Sequence, residues 1–123
     1  MPSVTIEGNP VPKARFRTNR RGGGWTPSEA AEEYVAFHFL PYRHRYVDGQ
    51  EIMVYCEFHC HVRNPVHLPD GDNLFKLVAD AMQRAYVVKN DRQIRKHIVE
   101  VKEVGAGQQR TIVWFGTREE AEL

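Results

Sequence analysis

Hydrophobic and polar residues alternate along several stretches of the chain, and this alternation predicts strands. The longest stretch runs from Glu51 to Arg63, where the even-numbered residues are apolar and the odd-numbered ones are mostly polar. This period of two is typical of a strand with one face on the core. Shorter stretches predict further strands at Ser3–Glu7, Ile94–Val104 and Arg110–Phe115.

Two other stretches have the residue spacing of helices. Helix-forming residues run from Ser28 to about Leu40, where Pro41 ends the pattern. A second helix is predicted from about Asn73 to Tyr86, because apolar residues recur there every three or four positions. Its predicted buried stripe consists of Leu74, Leu77, Val78, Ala81, Met82 and Ala85.

The order of these elements predicts the fold class. Strand, helix, strand, helix, strand, strand indicates an α+β protein in which about two helices pack on a mixed β-sheet. Because a chain of 123 residues has the length of one domain, we expect a single domain over residues 1–123. Val87 and Val88 are predicted to be extended and to lead from the second helix to the next strand.

Charge is unevenly distributed, although the net charge is only +1. We call residues 10–24 the basic arm, because they include cationic residues and no acidic one, whereas residues 117–123 form an acidic tail that we expect to be flexible. The cationic residues of the arm are Lys13, Arg15, Arg17, Arg20 and Arg21. The first three would project from one face of an extended segment. The arm is therefore a candidate for DNA phosphate contacts, with a solvated loop as the alternative.

Several other classes of protein are disfavoured by the sequence. There is no long apolar run and no secretory leader, which predicts a cytoplasmic protein without a membrane span. Cys56 and Cys60 do not make a disulfide framework. A zinc site that combines them with His59 and His61 is disfavoured as well, because these cysteines and histidines lie on opposite faces of the predicted strand.

Three carboxylates form the strongest candidate for a chemical site. Asp70 and Asp72 precede the second predicted helix, and Asp91 lies at a turn about twenty residues further on. We expect a short extended return after the helix to bring Asp91 back beside the helix start. Three convergent carboxylates suit a hard cation such as Mg2+, which polarises a phosphodiester and activates a bound water. The alternative is that Asp70 and Asp72 only cap the helix.

Lys76 lies one helical turn after Asp72. Residues at this spacing are neighbours on a helix surface, so the ammonium group can stabilise charge on a phosphate under attack. A surface ion pair with Asp80 is the alternative.

Three segments of the chain together resemble the RusA family of Holliday-junction resolvases. They are Gly8-x-Pro10-x-Pro12-Lys13-x-Arg15-x-Arg17, then Asp70-Gly71-Asp72-Asn73-Leu74-x-Lys76 with Asp80-Ala81, then Asn90-Asp91-x-Gln93-Ile94. Each segment alone is a weak signal, but all three in this order over most of the chain are specific. One departure is the segment 83–86, where many relatives carry a glycine that ends the helix.

The resemblance implies an α+β homodimer that cuts four-way DNA junctions by paired nicks. It implies Mg2+ as the cofactor, with Mn2+ as a substitute, and no organic cofactor. It also implies that Asp70, Asp72 and Asp91 bind the metal, that Lys76 is catalytic and that the basic arm contacts DNA. Such proteins are common in phages and prophages, which would place this one in a bacterial cytoplasm.

Two other functions stay open at this point. A non-catalytic protein that binds branched DNA would keep the basic arm, but it would not need three carboxylates in register with Lys76. A nuclease for flaps or forks would use the same metal chemistry, and the sequence does not separate it from a four-way-junction enzyme.

Overall fold

The computed structural model describes residues 1–14, 17–18, 24–25 and 28–122. Its strands are β1 (Ser3–Glu7), β2 (Arg17–Thr18), β3 (Gly24–Trp25), β4 (Ile52–Cys60), β5 (Ile94–Glu103) and β6 (Arg110–Gly116). Its α-helices are α1 (Glu29–Phe39), α2 (Gly71–Arg84) and α3 (Arg118–Glu122). Short 3-10 helices lie at Leu40–Tyr42, Pro65–His67 and Asp91–Gln93. Within the described residues, no helix has both the length and the apolar surface needed to traverse a bilayer.

A four-stranded mixed sheet forms the centre of the molecule, with the strand order β1-β6-β4-β5. β6 is antiparallel to both of its neighbours, so that Val113 lies opposite Val4 on one side and Cys56 on the other. β4 and β5 are parallel, and β5 forms one edge of the sheet. The predicted α+β fold with a mixed sheet is confirmed.

The even-numbered residues of β4 lie in the core, as the alternation predicts. All of them are buried, while the odd-numbered residues on the opposite face, including His59, are partly exposed. The apolar stripe of α2 packs into the same core, and each of its six predicted residues is at most 2 % exposed. Burial raises the pKa of the Cys56 thiol to about 12, so this cysteine is a neutral core residue.

β4, α2 and β5 form a unit in which the helix runs antiparallel to the two parallel strands. Near its start, α2 contacts the later part of β5, where Gly71 approaches Val99 and Val101. One turn further on, the ring of Phe75 stacks on His97, with ring centroids 4.0 Å apart. The start of α2 therefore lies near the end of β5, and the end of α2 lies near the beginning of β5.

α2 ends without the glycine that commonly follows a helix. Tyr86 takes a left-handed φ of 59°. Its N–H donates to the Gln83 carbonyl at 3.0 Å, and the N–H of Val87 donates to the Met82 carbonyl at 3.0 Å. These two bonds form a Schellman motif, in which glycine is the usual residue at the position of Tyr86. The exposed Tyr86 ring stacks on that of His44, a residue that also has a positive φ.

The predicted extended return after α2 is wrong. Val87 and Val88 lie in a bend and are fully buried, and the 3-10 helix Asp91–Gln93 begins three residues after Val88. Because the Schellman motif reverses the chain at the helix end, the two valines pack into the core there. The chain therefore enters β5 near the end of α2, and Asp91 is not brought back to the start of α2.

The acidic tail, predicted to be flexible, contains the helix α3. The N–H of Thr117 donates to Oε1 of Glu120 at 2.9 Å, and Arg45 donates to Oε2 at 2.7 Å. Burial raises the pKa of Glu120, but hydrogen bonds from Arg45, Thr117 and Tyr46 have the larger, opposite effect. The net result is a pKa lowered to about 2. The carboxylate is therefore ionised at neutral pH and ties the tail to the segment after α1.

Candidate active site

Asp70 and Asp72 are exposed at the start of α2, which begins two residues earlier than predicted. Asp70 is the N-cap of the helix, and its Oδ1 accepts a hydrogen bond from the Asp72 N–H at 3.0 Å. Asp72 lies in the first turn, where the helix dipole favours an acidic residue. Asp70 therefore caps the helix, as the alternative predicted. The cap occupies only one of its two carboxylate oxygens, so the other is available to a ligand.

Gly71 brings the carboxylate pair close to the sheet. A Cβ atom at this position would lie 3.1 Å from Cγ1 of Val99 and 3.4 Å from Cγ2 of Val101. A larger residue would therefore push the first turn of α2 away from β5. The absence of a side chain at Gly71 sets the height of both carboxylates above the strand.

Lys76 is exposed one turn into α2 from Asp72. Asp80, the alternative partner predicted from the sequence, lies 3.1 Å from Nζ of Lys13 instead. Lys76 and the carboxylate pair therefore share one end of the helix, where the ammonium group can meet the charge of a bound phosphate. The structure thus brings three of the four predicted catalytic residues to the same end of α2.

Asp91 is exposed in a turn that a buried glutamine holds in place. Gln93 is 5 % exposed, and its Oε1 accepts hydrogen bonds from the N–H groups of Lys89 and Asn90 at 2.8 and 3.1 Å. Its Nε2 donates to two backbone carbonyls in the loop before β4, at 2.9 and 3.0 Å. Asn90 caps the 3-10 helix by accepting from the N–H of Arg92 at 2.9 Å. The position of Asp91 is therefore fixed by its neighbours.

Asp91 does not meet Asp70 and Asp72 within one chain. Gly71 packs over Val99, and Asp91 lies eight residues before Val99 in the sequence. Part of that interval is 3-10 helix and the rest is strand, at roughly 2.0 and 3.3 Å per residue, which gives a separation of about 22 Å. The length of α2 gives a similar value, about 21 Å.

One chain therefore supplies half of the predicted metal site at each end of α2. Among the described residues, no three His, Cys, Asp or Glu side chains of one chain are close enough to hold a metal ion. The chemistry of Asp70 and Asp72 nevertheless fits a hard divalent cation, because exposed carboxylate oxygens are the ligands that Mg2+ prefers. Such a cation would need further ligands from another source.

Basic residues around Asp91 were missed by the sequence analysis. Lys89, Arg92 and Arg95 are exposed there. Two of them form ion pairs with exposed carboxylates at 3.8 and 3.3 Å, and such pairs are weak in water. The signal in the sequence is the presence of four basic residues between positions 89 and 96, with Asp91 among them. These residues surround Asp91 with positive charge that can attract DNA.

The predicted DNA-contacting residues of the basic arm are described in part. Nζ of Lys13 lies 2.6 and 3.1 Å from two carboxylate oxygens. The backbone of Arg17 belongs to β2, which pairs antiparallel with β3. DNA contact by these residues stays a prediction. Arg15, Arg20 and Arg21 lie outside the described residues.

A carboxylate pair and a lysine presented together at a helix start, on an α+β domain with a basic segment, are typical of enzymes that hydrolyse phosphodiesters. The sequence model of the family described as "Endodeoxyribonuclease RusA" matches residues 7–114. The chain therefore belongs to the RusA family of endodeoxyribonucleases, enzymes that resolve Holliday junctions by hydrolysing DNA, and the resemblance is confirmed. A search of curated proteins found no match to this chain.

Proposed function

We propose that this protein is a Mg2+-dependent Holliday-junction resolvase that nicks two strands of a four-way DNA junction symmetrically. The observation that carries the proposal is the joint exposure of Asp70, Asp72 and Lys76 at the start of α2. A protein that only binds DNA has no use for exposed carboxylates that repel the phosphates. The same carboxylates are useful to an enzyme that needs a divalent cation.

Asp70, Asp72 and Asp91 are the proposed ligands of Mg2+, for which Mn2+ is a substitute. When bound, the cation would polarise the phosphodiester and lower the pKa of a water molecule. Asp70 contributes the oxygen that its cap hydrogen bond leaves available. Lys76 places its ammonium group against the negative charge that develops on the phosphate. The basic arm attracts the DNA over a longer range.

The separation of Asp91 from the other two carboxylates supports a site shared by two chains. β5 is an edge strand, and among the described residues no strand pairs with its outer side. Antiparallel pairing of two β5 strands about a two-fold axis would put the beginning of one beside the end of the other. Asp91 of one chain would then lie at the end of the sheet where the second chain carries Asp70 and Asp72.

We therefore propose a homodimer with two composite sites, which acts on branched DNA in a bacterial cytoplasm. A four-way junction is itself two-fold symmetric, and its resolution needs two symmetric cuts. An isologous dimer presents two identical sites related by the same symmetry. The proposed dimer thus matches the substrate in the number and the relation of the cuts.

The first test is cleavage of a labelled synthetic four-way junction with Mg2+, with EDTA and Asp72→Asn as controls. We expect paired symmetric nicks from the natural sequence and none from either control. Flap and fork substrates are tested beside the junction, because faster cleavage of either would assign the enzyme to that substrate. Binding without cleavage under both Mg2+ and Mn2+ would overturn the catalytic proposal.

A second test addresses the shared site. Asp72→Asn and Asp91→Asn are co-expressed with different tags, and the heterodimer is purified. One composite site of this heterodimer keeps every carboxylate, so we expect single-strand nicking that neither variant shows alone. The Asp70→Asn and Asp72→Asn heterodimer is the matched control, because both substitutions lie in the same half of the site. Equal inactivity of the two heterodimers would overturn the shared site.

A further inference from the structure

Lys13, the first cationic residue of the basic arm, is attached to both α1 and α2. Its backbone N–H donates to the carbonyl of Asn73 at 2.9 Å, in the first turn of α2. Its Nζ donates to Oε1 of Glu32 in α1 at 2.6 Å and lies 3.1 Å from Oδ2 of Asp80 in α2. Asn73 directly follows Asp72 in the sequence. The cationic part of the arm therefore begins beside the carboxylate pair of the candidate site.

Glu32 is the centre of this arrangement. It is 9 % exposed, and its second oxygen, Oε2, accepts a hydrogen bond from Arg84 at 2.8 Å. Burial lowers the pKa of Lys13, but its hydrogen bonds to Glu32 and Asp80 raise it more, so that the net shift is upward. Lys13 is thus a cation at neutral pH, and each oxygen of Glu32 is paired with a cation.

The next residue extends the attachment. The N–H of Ala14 donates to Oγ of Ser28 at 3.0 Å, and Ser28, directly before α1, is 2 % exposed. Residues 13 and 14 therefore bridge the start of α1 and the first turn of α2 through both backbone and side chain. These contacts fix the backbone at residues 13 and 14, directly before the other cationic residues of the arm.

We propose that Lys13 is a positioning residue, which docks the base of the basic arm onto α1 and α2 beside Asp72 and does not itself contact a DNA phosphate. This inference rests on the proposed function, because it assigns the arm and the carboxylate pair to the same DNA. A phosphate contact would require Nζ to leave Glu32 and Asp80, and the buried Glu32 would then keep a single cation. Lys13 therefore acts through the arm residues that follow it.

Glu32→Gln distinguishes the two possible roles of Lys13, because they predict opposite changes in the affinity for the junction. If Lys13 were a phosphate contact, removal of the carboxylate would free its ammonium group and leave DNA binding equal or tighter. If Lys13 is a positioning residue, the same change loosens the arm, and we expect junction binding about 10-fold weaker. Lys13→Met should weaken binding to a similar extent. Glu33→Gln is the matched control, because Glu33 is an exposed carboxylate on the same helix that Arg84 also contacts.

Binding is measured by fluorescence anisotropy on a labelled four-way junction, in the Asp72→Asn background and well below the melting temperature of each variant. A phosphate-contacting lysine contributes about one to the salt slope of log K. We expect Lys13→Met to keep the slope of its parent, whereas Arg17→Ala should reduce it by about one. A reduced slope in Lys13→Met, together with equal or tighter binding by Glu32→Gln, would overturn the proposal.

A readout without DNA separates this inference from the proposed function. Tryptic cleavage after Arg15 and Arg17 is followed by mass spectrometry on the folded variants, with cleavage elsewhere in the chain as the internal reference. We expect faster cleavage in the arm of Glu32→Gln and Lys13→Met, and restoration to the natural rate in Lys13→Arg. Unchanged arm cleavage in both variants would overturn the docking role, whatever the junction assay shows.

Discussion

The two halves of the predicted metal site are built on turns of different kinds. At the start of α2, Asp70 itself caps the helix, so one residue serves both the fold and the proposed site. At the far end, Asn90 supplies the cap and Gln93 fills the interior of the turn, and among the described residues no hydrogen bond involves the Asp91 carboxylate. Substitutions of Asp70 can therefore change both stability and cleavage, whereas substitutions of Asp91 should change cleavage alone.

The largest expected effect is on cleavage by Asp91→Asn. We expect junction cleavage to fall by about 1,000-fold, since a proposed metal ligand is lost, while the melting temperature stays the same. Single-turnover cleavage with saturating protein measures the first quantity, and thermal unfolding measures the second. Asp48→Asn, an exposed carboxylate 3.8 Å from Nζ of Lys89, is the control and should cut normally. Normal cleavage by Asp91→Asn would remove this residue from the site.

The next effect is on stability and comes from Gln93→Ala. This change removes the four hydrogen bonds that the buried Gln93 side chain makes to the backbone. We therefore expect a loss of about 3 kcal/mol in the free energy of unfolding. Urea denaturation measures it. Gln50→Ala removes a single hydrogen bond, from the N–H of Val47 at 3.2 Å, and should lose about 0.5 kcal/mol. A loss in Gln93→Ala as small as the one expected for Gln50→Ala would show that the turn does not depend on Gln93.

A pair of substitutions at Asp70 separates its two roles. Asp70→Ala removes the cap and should lose about 1 kcal/mol of stability together with cleavage. Asp70→Asn keeps a good cap, so it should lose cleavage while its stability stays close to that of the natural chain. Urea denaturation and junction cleavage are measured on both variants. Retained cleavage in Asp70→Asn would mean that Asp70 serves the fold alone.

The smallest effect concerns the end of the helix that joins the two halves. Tyr86→Gly relieves a left-handed backbone conformation but loses the stacking on His44, so we expect a net gain of about 0.5 kcal/mol in stability. The melting temperature should rise by a few degrees in a domain of this size. A lower melting temperature would mean that the stacked rings stabilise the turn by more than the backbone strain costs.

Much of the fold could be predicted from the sequence, because packing on a core imposes a regular period. The alternation of β4 and the stripe of α2 both follow from burial on one side. The prediction for Val87 and Val88 was wrong because burial alone does not define the backbone. An apolar pair at the end of a helix has the same sequence pattern in a strand and in a buried bend. Position 86 carries tyrosine and not the glycine that usually marks such a turn, so the sequence gives no local signal that the chain reverses there.

The residues of the candidate site could be predicted better than their arrangement. Asp70, Asp72 and Asp91 were singled out by residue type and neighbours, but the direction of α2 relative to β5 decides which of them meet. The ion pair between Lys13 and Glu32 joins residues nineteen positions apart and leaves no periodic signal. Pairs of this kind are set by tertiary packing, which a pattern in one sequence does not report.

Gly71 has a consequence for how this site can vary among related chains. The first turn of α2 packs at Gly71 against Val99 and Val101, whose side chains carry no functional group of the site. Exchange of either valine for alanine or isoleucine would change the volume under Gly71 and so move the first turn of α2 toward or away from β5. Such exchanges would shift Asp70 and Asp72, the proposed metal ligands, relative to the sheet, while every acidic residue is retained.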